Sequence, residues 1–329
     1  MEKFISVIIP NYNGSSTIGK CLEAAFASSY GSFEVIVVDD CSSDNSPAII
    51  KQFPCKIIEL KTHSGAGKAR NTGALHSRGD VLFFTDADCL LSADSLSVVN
   101  KAVGEAGDDA VIGGTYTQMP YDRGFFSIFQ SVFIHYSETR NSSRPDYVAT
   151  HAMVISAETF RKSGGFREDF LPILEDVDFS HRLRRKGCRL IVDPAITVRH
   201  IFNFTLKRSI LNAYRKSRYW ITYSIMNKDL LADSGTASRE LKINGISWLA
   251  CLSCVLLCAL TGDAAWIVLL AAITGLNSFV SRGLFAEFYK TRGFKFSLLA
   301  ALYYLLLYPA PVWAGTAAGV IGYYSNSHR

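Results

Sequence analysis

The chain has no Cys-x-x-Cys pair followed by a second one, although it holds eight cysteines. Scattered thiols, several inside apolar runs (Cys251, Cys254, Cys258), exclude a zinc ribbon or a disulfide scaffold and fit a reducing, cytosolic compartment. Internal repeats and low-complexity tracts are absent, which removes solenoids and disordered tails. An apolar leader is missing too. Met1-Glu2-Lys3-Phe4 runs straight into a strand-like segment, so no cleaved signal is expected. Two phosphate-binding fingerprints also fail. Gly65-Ala66-Gly67-Lys68 has Thr62 where a phosphate loop needs its first glycine, and Ala69 where it needs Ser or Thr. Asn13-Gly14-Ser15-Ser16 does not supply the glycines that open a dinucleotide-binding helix. Nucleic acid is not an expected partner, because the net charge of +5 is modest and basic residues gather beside apolar segments, as suits an anionic membrane surface.

What is present is a division. Residues 1–240 carry nearly all the charge, whereas residues 246–325 are almost entirely apolar apart from one charged connector. The polar part begins with alternating strand and helix patterns. Ile5-Ser6-Val7-Ile8-Ile9 stops at Pro10, and a helix pattern covers about residues 17–27. Further strands are expected at 33–38, 56–60 and 81–85, with a helix at 66–77. Such alternation predicts a parallel, doubly wound α/β sheet, whose ligands bind beyond the carboxyl ends of the strands. Those ends carry Pro10-Asn11-Tyr12-Asn13, Asp39-Asp40 and Asp86-Ala87-Asp88. On an extended segment, residues i and i+2 share a side, so Asp86 and Asp88 are expected to converge on one point. Paired carboxylates repel, and a hard divalent cation is the usual remedy.

A second stretch has strand patterns at 110–116, 149–155 and 189–198. Before the last lies a helix pattern from Leu174 to Gly187, with Glu175, Asp176 and Asp178 in its first turn and Arg182, Arg184, Arg185 and Lys186 towards its end. These charges match the helix dipole. From residue 204 to 226 a basic, aromatic segment has the makings of an interfacial helix. Three apolar segments follow, at about 246–262, 264–280 and 297–324, the last broken by Pro309-Ala310-Pro311 into one kinked span or a re-entrant pair. Arg239 and Lys242 precede the first, and Arg282, Lys290, Arg292 and Lys295 lie between the second and third. The positive-inside rule puts both flanks, and the polar domain, on the cytoplasmic side of the membrane.

Together these segments resemble the family 2 glycosyltransferases. The resemblance rests on Val7-Ile8-Ile9-Pro10-Asn11-Tyr12-Asn13, Glu34 to Asp44, Gly65 to Gly73, Phe84-Thr85-Asp86-Ala87-Asp88, Gly164-Gly165-Phe166 and Glu175-Asp176-Val177-Asp178, and covers about residues 4–200. It implies a GT-A fold and inverting transfer from a nucleoside-diphosphate sugar, most often UDP-linked. Carried over by position, Pro10 and Asn13 line the nucleotide pocket. Asp40, with Asp39 beside it, hydrogen-bonds the base, Arg70 neighbours the base or diphosphate, and Asp86 the ribose. Asp88 would ligate Mg2+ or Mn2+, with His200 as a further metal ligand. Asp176 would be the base that takes the acceptor hydroxyl's proton, and Glu175 and Asp178 its supporting or acceptor-binding neighbours. His151 and His181 read as structural. The Gln-x-x-Arg-Trp string of processive members is missing from Tyr214-Arg215-Lys216-Ser217-Arg218-Tyr219-Trp220, so one sugar added to one acceptor is expected rather than an extruded polymer.

The expected organisation is a GT-A catalytic domain over 1–203, a basic amphipathic interfacial helix and linker over 204–245, and a membrane anchor over 246–329. The expected acceptor is a hydroxyl of a lipid-linked or cell-envelope glycan. The alternatives are transfer to a polyprenyl phosphate, or a non-catalytic sugar-nucleotide-binding membrane scaffold.

Overall fold

β-branched residues fill the first strand, β1 (Ile5–Asn11), and its side chains are buried on both faces. That pattern belongs to a sheet covered by helices on each side. A computed structural model, which describes residues 2–107, 109–169 and 171–326, resolves the chain into two units. The first comprises the chain through Arg123 together with Glu138–Asn203. After β1 come α1 (Ile18–Phe26), β2 (Phe33–Asp39), α2 (Ser46–Ile50), β3 (Lys56–Glu59), α3 (Ala66–Leu75), β4 (Val81–Thr85), β5 (Cys89–Leu91), α4 (Ser95–Ala106) and β6 (Ala110–Tyr116). Then follow α5 (Phe125–Thr139), which through Ser137 belongs to the second unit, and β7 (Ala152–Ser156), α6 (Ala157–Ser163), α7 (Glu175–Arg185) and β8 (Arg189–His200).

The strands form one mixed, mostly parallel sheet in the order β3-β2-β1-β4-β7-β6-β8-β5. β1 runs parallel to β2 and β4, β2 to β3, and β6 to β8. β7 is antiparallel to both neighbours, and β5 to β8. The expected mostly parallel sheet is thus present, parallel through the first four strands and antiparallel where β7 inserts. Register does the rest: Asn11 pairs with Asp39 and Ile8 with Phe84, so β1, β2 and β4 all end at one edge. The strand expected from residue 149 begins at Ala152, because the amide of Ala152 closes a turn on Ala149 O. That turn leaves Thr150 and His151 at the same edge. Beneath the sheet, Phe84, Phe160, Phe166 and Phe179 pack together, with Phe166 and Phe179 centroids 4.5 Å apart, and so seat α7 against β4.

The second unit holds α5 through Ser137, then α8 (Leu206–Asn227), α9 (Arg239–Thr261), α10 (Ala265–Val280), α11 (Arg282–Leu302) and α12 (Pro309–Asn326). Thr205 and Ser238 cap α8 and α9 by accepting the amides of Arg208 and Leu241. α12 lies against α8 at Gly315 and Gly319, where a Cβ would overlap the backbone of Tyr214 or Arg218. The apolar segments expected at 246–262 and 264–280 fall in α9 and α10, and the third in α11 and α12. The charged connector between the second and third is helical as far as Gly293 (φ 75°), where the helix breaks and the chain folds back, so that Ser297 Oγ donates to Phe285 O (2.9 Å).

The Pro309-Ala310-Pro311 break is resolved as a π turn over Tyr303–Leu307, closed by Tyr308 N to Tyr303 O at 2.9 Å. Prolines have no amide to give the preceding turn, so carbonyls there need other donors. Asn244 Nδ2 donates to Tyr304 O (2.8 Å) and Trp248 Nε1 to Leu306 O (2.9 Å). Asn277 Nδ2 in turn donates to Asn244 Oδ1 (2.8 Å). Asn244→Leu removes a buried donor and acceptor at once and is expected to cost about 1–3 kcal/mol. A lowered thermal midpoint of the detergent-solubilised chain checks this, and an unchanged one would show that these bonds carry no weight.

Candidate active site

The edge where β1, β2 and β4 end gathers three groups of side chains. The first lies after β1 and β2. Asp39 is buried, accepting from Asn11 Nδ2 (2.7 Å) and Ser42 N (2.9 Å). Asp40, also buried, accepts from the amides of Ser64 (2.7 Å) and Gly65 (2.8 Å), so it pins the loop leading into α3. Asn13 sits at φ 51° and accepts from Ser43 N (2.8 Å), which turns the segment after Pro10 back over β2. The sequence alone does not reveal the ring pair that completes this group. Tyr12, half exposed, stacks on His63 with centroids 4.0 Å apart, and His63 Nδ1 lies 2.9 Å from Asp40 Oδ2. A flat apolar platform thus stands beside a carboxylate, an arrangement suited to an aromatic base.

The second group is built on Asp86-Ala87-Asp88. These residues are not extended: Cys89 N donates to Asp86 O (3.0 Å), closing a tight turn so that β5 can pair with β8. They reach the sheet edge through a turn rather than the expected extended segment. The two carboxylates face different partners. Asp86 Oδ1 accepts from Arg70 Nη2 at 2.7 Å, and Arg70 Nη1 reaches Glu175 Oε1 at 2.5 Å. Arg70 is buried between the two acids. Burial pushes the Asp86 carboxyl up, but Arg70 together with His151 and His200 makes the net shift downward. Asp88 Oδ1 lies 3.3 Å from His200 Nε2, because Cys89 and His200 are cross-strand partners and share a face.

Burial first, and the charge of Asp86 second, push the Asp88 carboxyl up to about 7. A bound cation would remove that penalty. Asp88, Cys89 and His200 offer ligand atoms within 4.8 Å of one another, and a carboxylate oxygen with an imidazole nitrogen suits Mn2+ or Mg2+. The residues present therefore fit a divalent cation.

The third group opens α7. Leu174 precedes it in the left-handed region (φ 78°), a conformation costly for a branched side chain, and so turns Glu175 and Asp176 back toward the sheet edge. Asp176 accepts from Val177 N (2.9 Å) and from Thr150 N (3.3 Å), the amide exposed by the turn before β7. Burial, then the neighbouring Glu175, push its carboxyl up to about 6 against the pull of Arg70. Asp178 faces away into an ion pair with Arg182 Nε (2.8 Å) and serves the helix. Asn71 clamps the Gly164-Gly165-Phe166 loop beside α7 by bonding both Phe166 N and Phe166 O.

His181 is buried against Asp146, with Nε2 3.0 Å from its carboxylate. His151 is more central than its sequence suggested. Its ring stacks on Tyr116 (4.0 Å), Nε2 lies 3.4 Å from Glu138 Oε2, and its backbone oxygen accepts from Thr85 Oγ1 (2.9 Å). Burial lowers its pKa, but Glu138 first and Asp86 after it raise the net value. A buried imidazole thus adds positive character behind the acids, a contribution that only tertiary placement exposes.

If Asp176 takes a proton during turnover, kcat/KM must fall tenfold per unit as the pH drops below about 6 and level off above it. An ordinary carboxyl would put that limb near 4. A pH–rate profile with the limb near 4, or the same limb in Asp176→Asn, would contradict the role.

The comparisons with known proteins bear on this site. The family model described as Glycosyl transferase family 2 matches residues 6–215, more than half of the chain. An uncharacterized glycosyltransferase of Haemophilus influenzae is 30% identical over 184 residues, covering 54% of this chain and 61% of that protein. The Escherichia coli protein named UDP-Glc:alpha-D-GlcNAc-diphosphoundecaprenol beta-1,3-glucosyltransferase WfgD is 33% identical over 100 residues, 30% of this chain and 40% of its own length. The chain thus spans less than two thirds of the length of these curated relatives. Among solved structures, the mannosyltransferase PcManGT from Pyrobaculum calidifontis, in complex with GDP-Man and Mn2+, superposes with a TM-score of 0.59 at 16% identity, over 97% of this chain and 88% of that one. That likeness shows the fold.

Proposed function

The chain belongs to glycosyl transferase family 2, and we propose that it moves one sugar, with inversion, from a nucleoside-diphosphate sugar to a hydroxyl of a lipid-linked or envelope glycan at the cytoplasmic face of a membrane. The observation that carries this reading is the meeting, at one sheet edge, of the Tyr12–His63 stack beside Asp40, the Asp88–His200 pair and the raised carboxyl of Asp176.

In this reading Pro10, Asn13, Asp39 and Asp40 frame the nucleoside, and Asp86, steadied by Arg70, takes the ribose. Asp88 and His200 would hold Mg2+ or Mn2+. The cation's chemistry is neutralisation of charge on the departing diphosphate. Asp176 accepts the acceptor hydroxyl's proton as that oxygen bonds to the anomeric carbon and the carbon–diphosphate bond breaks on the opposite face. Glu175 is committed to Arg70, so it positions rather than reacts.

Membrane attachment is supported by α9, long and apolar enough to cross a bilayer; the stretch 282–325 also qualifies by length and composition, though it is broken at Gly293, and α10 is shorter. Only 17% of the apolar window of α9 is buried, so it is not a covered core helix. Basic residues at both flanks support the cytoplasmic side. The E. coli relative's name describes a lipid-diphosphate acceptor, in keeping with this placement.

The test is incubation of membranes carrying the chain with radiolabelled UDP- and GDP-sugars, with Mn2+ or with EDTA. Label entering the lipid or glycan fraction only with Mn2+ is expected. Label transfer untouched by EDTA would overturn the metal role, and binding without transfer from any donor would favour the scaffold alternative.

A further inference from the structure

Tyr12 and His63 make more than a platform. Both side chains are open to solvent at the sheet edge, Tyr12 being 50% and the His63 side chain 54% exposed. Yet their rings lie stacked, 4.0 Å apart and 27° from parallel. That separation leaves no room for a third ring between them. His63 stands in the loop between β3 and α3, and its Nδ1 lies 2.9 Å from Asp40 Oδ2. A carboxylate oxygen accepts, so Nδ1 carries the hydrogen. The ring's other polar approach, 3.4 Å from Nδ1 to Asp40 O, is to the same residue.

Asp40 does not depend on this partner. The amides of Ser64 and Gly65 hold its Oδ1 and Oδ2 at 2.7 and 2.8 Å. The carboxylate therefore stays fixed when His63 swings away, whereas the imidazole is held by one ring face and one residue. A planar ring that lies on Tyr12 and gives one edge N–H to Asp40 bonds as a nucleobase with a ring N–H would, uracil and guanine being such bases. Cytosine, which presents a bare ring nitrogen there, would not match.

We propose that His63 is an internal stand-in for the nucleobase, and that a nucleotide binds only once His63 has left the seat formed by Tyr12 and Asp40. The inference rests on the reading above that this group receives the donor's nucleoside. An internal competitor lowers the apparent nucleotide affinity by the fraction of molecules in which the seat is open. Its return after transfer favours release of the nucleoside diphosphate product.

The test is calorimetric titration of UDP and of GDP, each with Mn2+, into the detergent-solubilised full chain and its His63→Ala and Tyr12→Ala variants. His63→Ala is expected to bind the preferred nucleotide about fivefold to tenfold more tightly than the unaltered chain, because the seat stands open. Tyr12→Ala should bind it more weakly, because the platform is gone. Isotope-labelled histidine followed by NMR reads the ring itself. The resonance that is missing in His63→Ala should move when nucleotide is added to the unaltered chain, as the imidazole leaves the ring current of Tyr12. Affinity unchanged or lowered in His63→Ala, or a His63 resonance that nucleotide leaves in place, would overturn the proposal. If that happens while Tyr12→Ala still weakens binding, the stand-in role alone fails. If Tyr12→Ala binds as tightly as the unaltered chain, or no variant binds either nucleotide, the nucleoside-seat reading beneath it fails.

Discussion

Replacing Asp176 by Asn is expected to lower kcat by about 10²–10⁴ with donor binding little changed, because the variant keeps the shape and the bond from one of the two backbone amides but cannot accept a proton. The neighbours of Asp176 make it the right carboxyl for the task. Its oxygens are held by the amides of Val177 and Thr150, and burial lifts its pKa to about 6, close to a working pH. Asp178 in the same turn is engaged by Arg182, and Glu175 by Arg70, so neither is placed to serve instead. Steady-state kinetics with a fixed donor separates the outcomes. Near-full activity in Asp176→Asn would sink the base assignment and favour a phosphate acceptor, which hardly needs deprotonation.

The second large effect concerns Arg70. Arg70→Met leaves Asp86 and Glu175 facing each other with no cation between them, and breaking a buried pair in this way costs about 3–5 kcal/mol. Donor binding should weaken as well, since Asp86, the carboxylate proposed to take the ribose, loses its anchor. Arg70→Lys restores one charge but spans only one of the two acids, so it should recover part of the stability and little of the donor affinity. Thermal unfolding of each variant reads the first effect. A midpoint unchanged in Arg70→Met would mean that the acids are held by something else.

Much of this site is legible along the chain because parallel strands end where their apolar runs end. β4 occupies Val81–Thr85, the span that its apolar pattern marks, and the acids after it fall at the sheet edge. The turn at Asp86-Ala87-Asp88 is not legible, since it depends on β5, three residues long, pairing with the end of β8. Strands so short leave no periodicity to read. Arg70 bonding Glu175, 105 positions away, is likewise a product of folding alone. His151 is the clearest omission. A lone histidine inside an expected strand reads as structural, and only the fold sets its ring on Tyr116 and beside Glu138. The helices of the second unit follow their apolar segments closely, whereas the π turn before Pro309 depends on donors from α9 that sit some 60 residues away.

The central claim is that the strand-end acids form a cation-dependent donor site, and calorimetric titration of UDP or GDP into the purified chain tests it most directly. One saturable site is expected, at least about tenfold tighter with Mn2+ than with EDTA, and weakened to the EDTA level in Asp88→Asn. Nucleotide binding of equal strength in EDTA, or undiminished in Asp88→Asn, would contradict it.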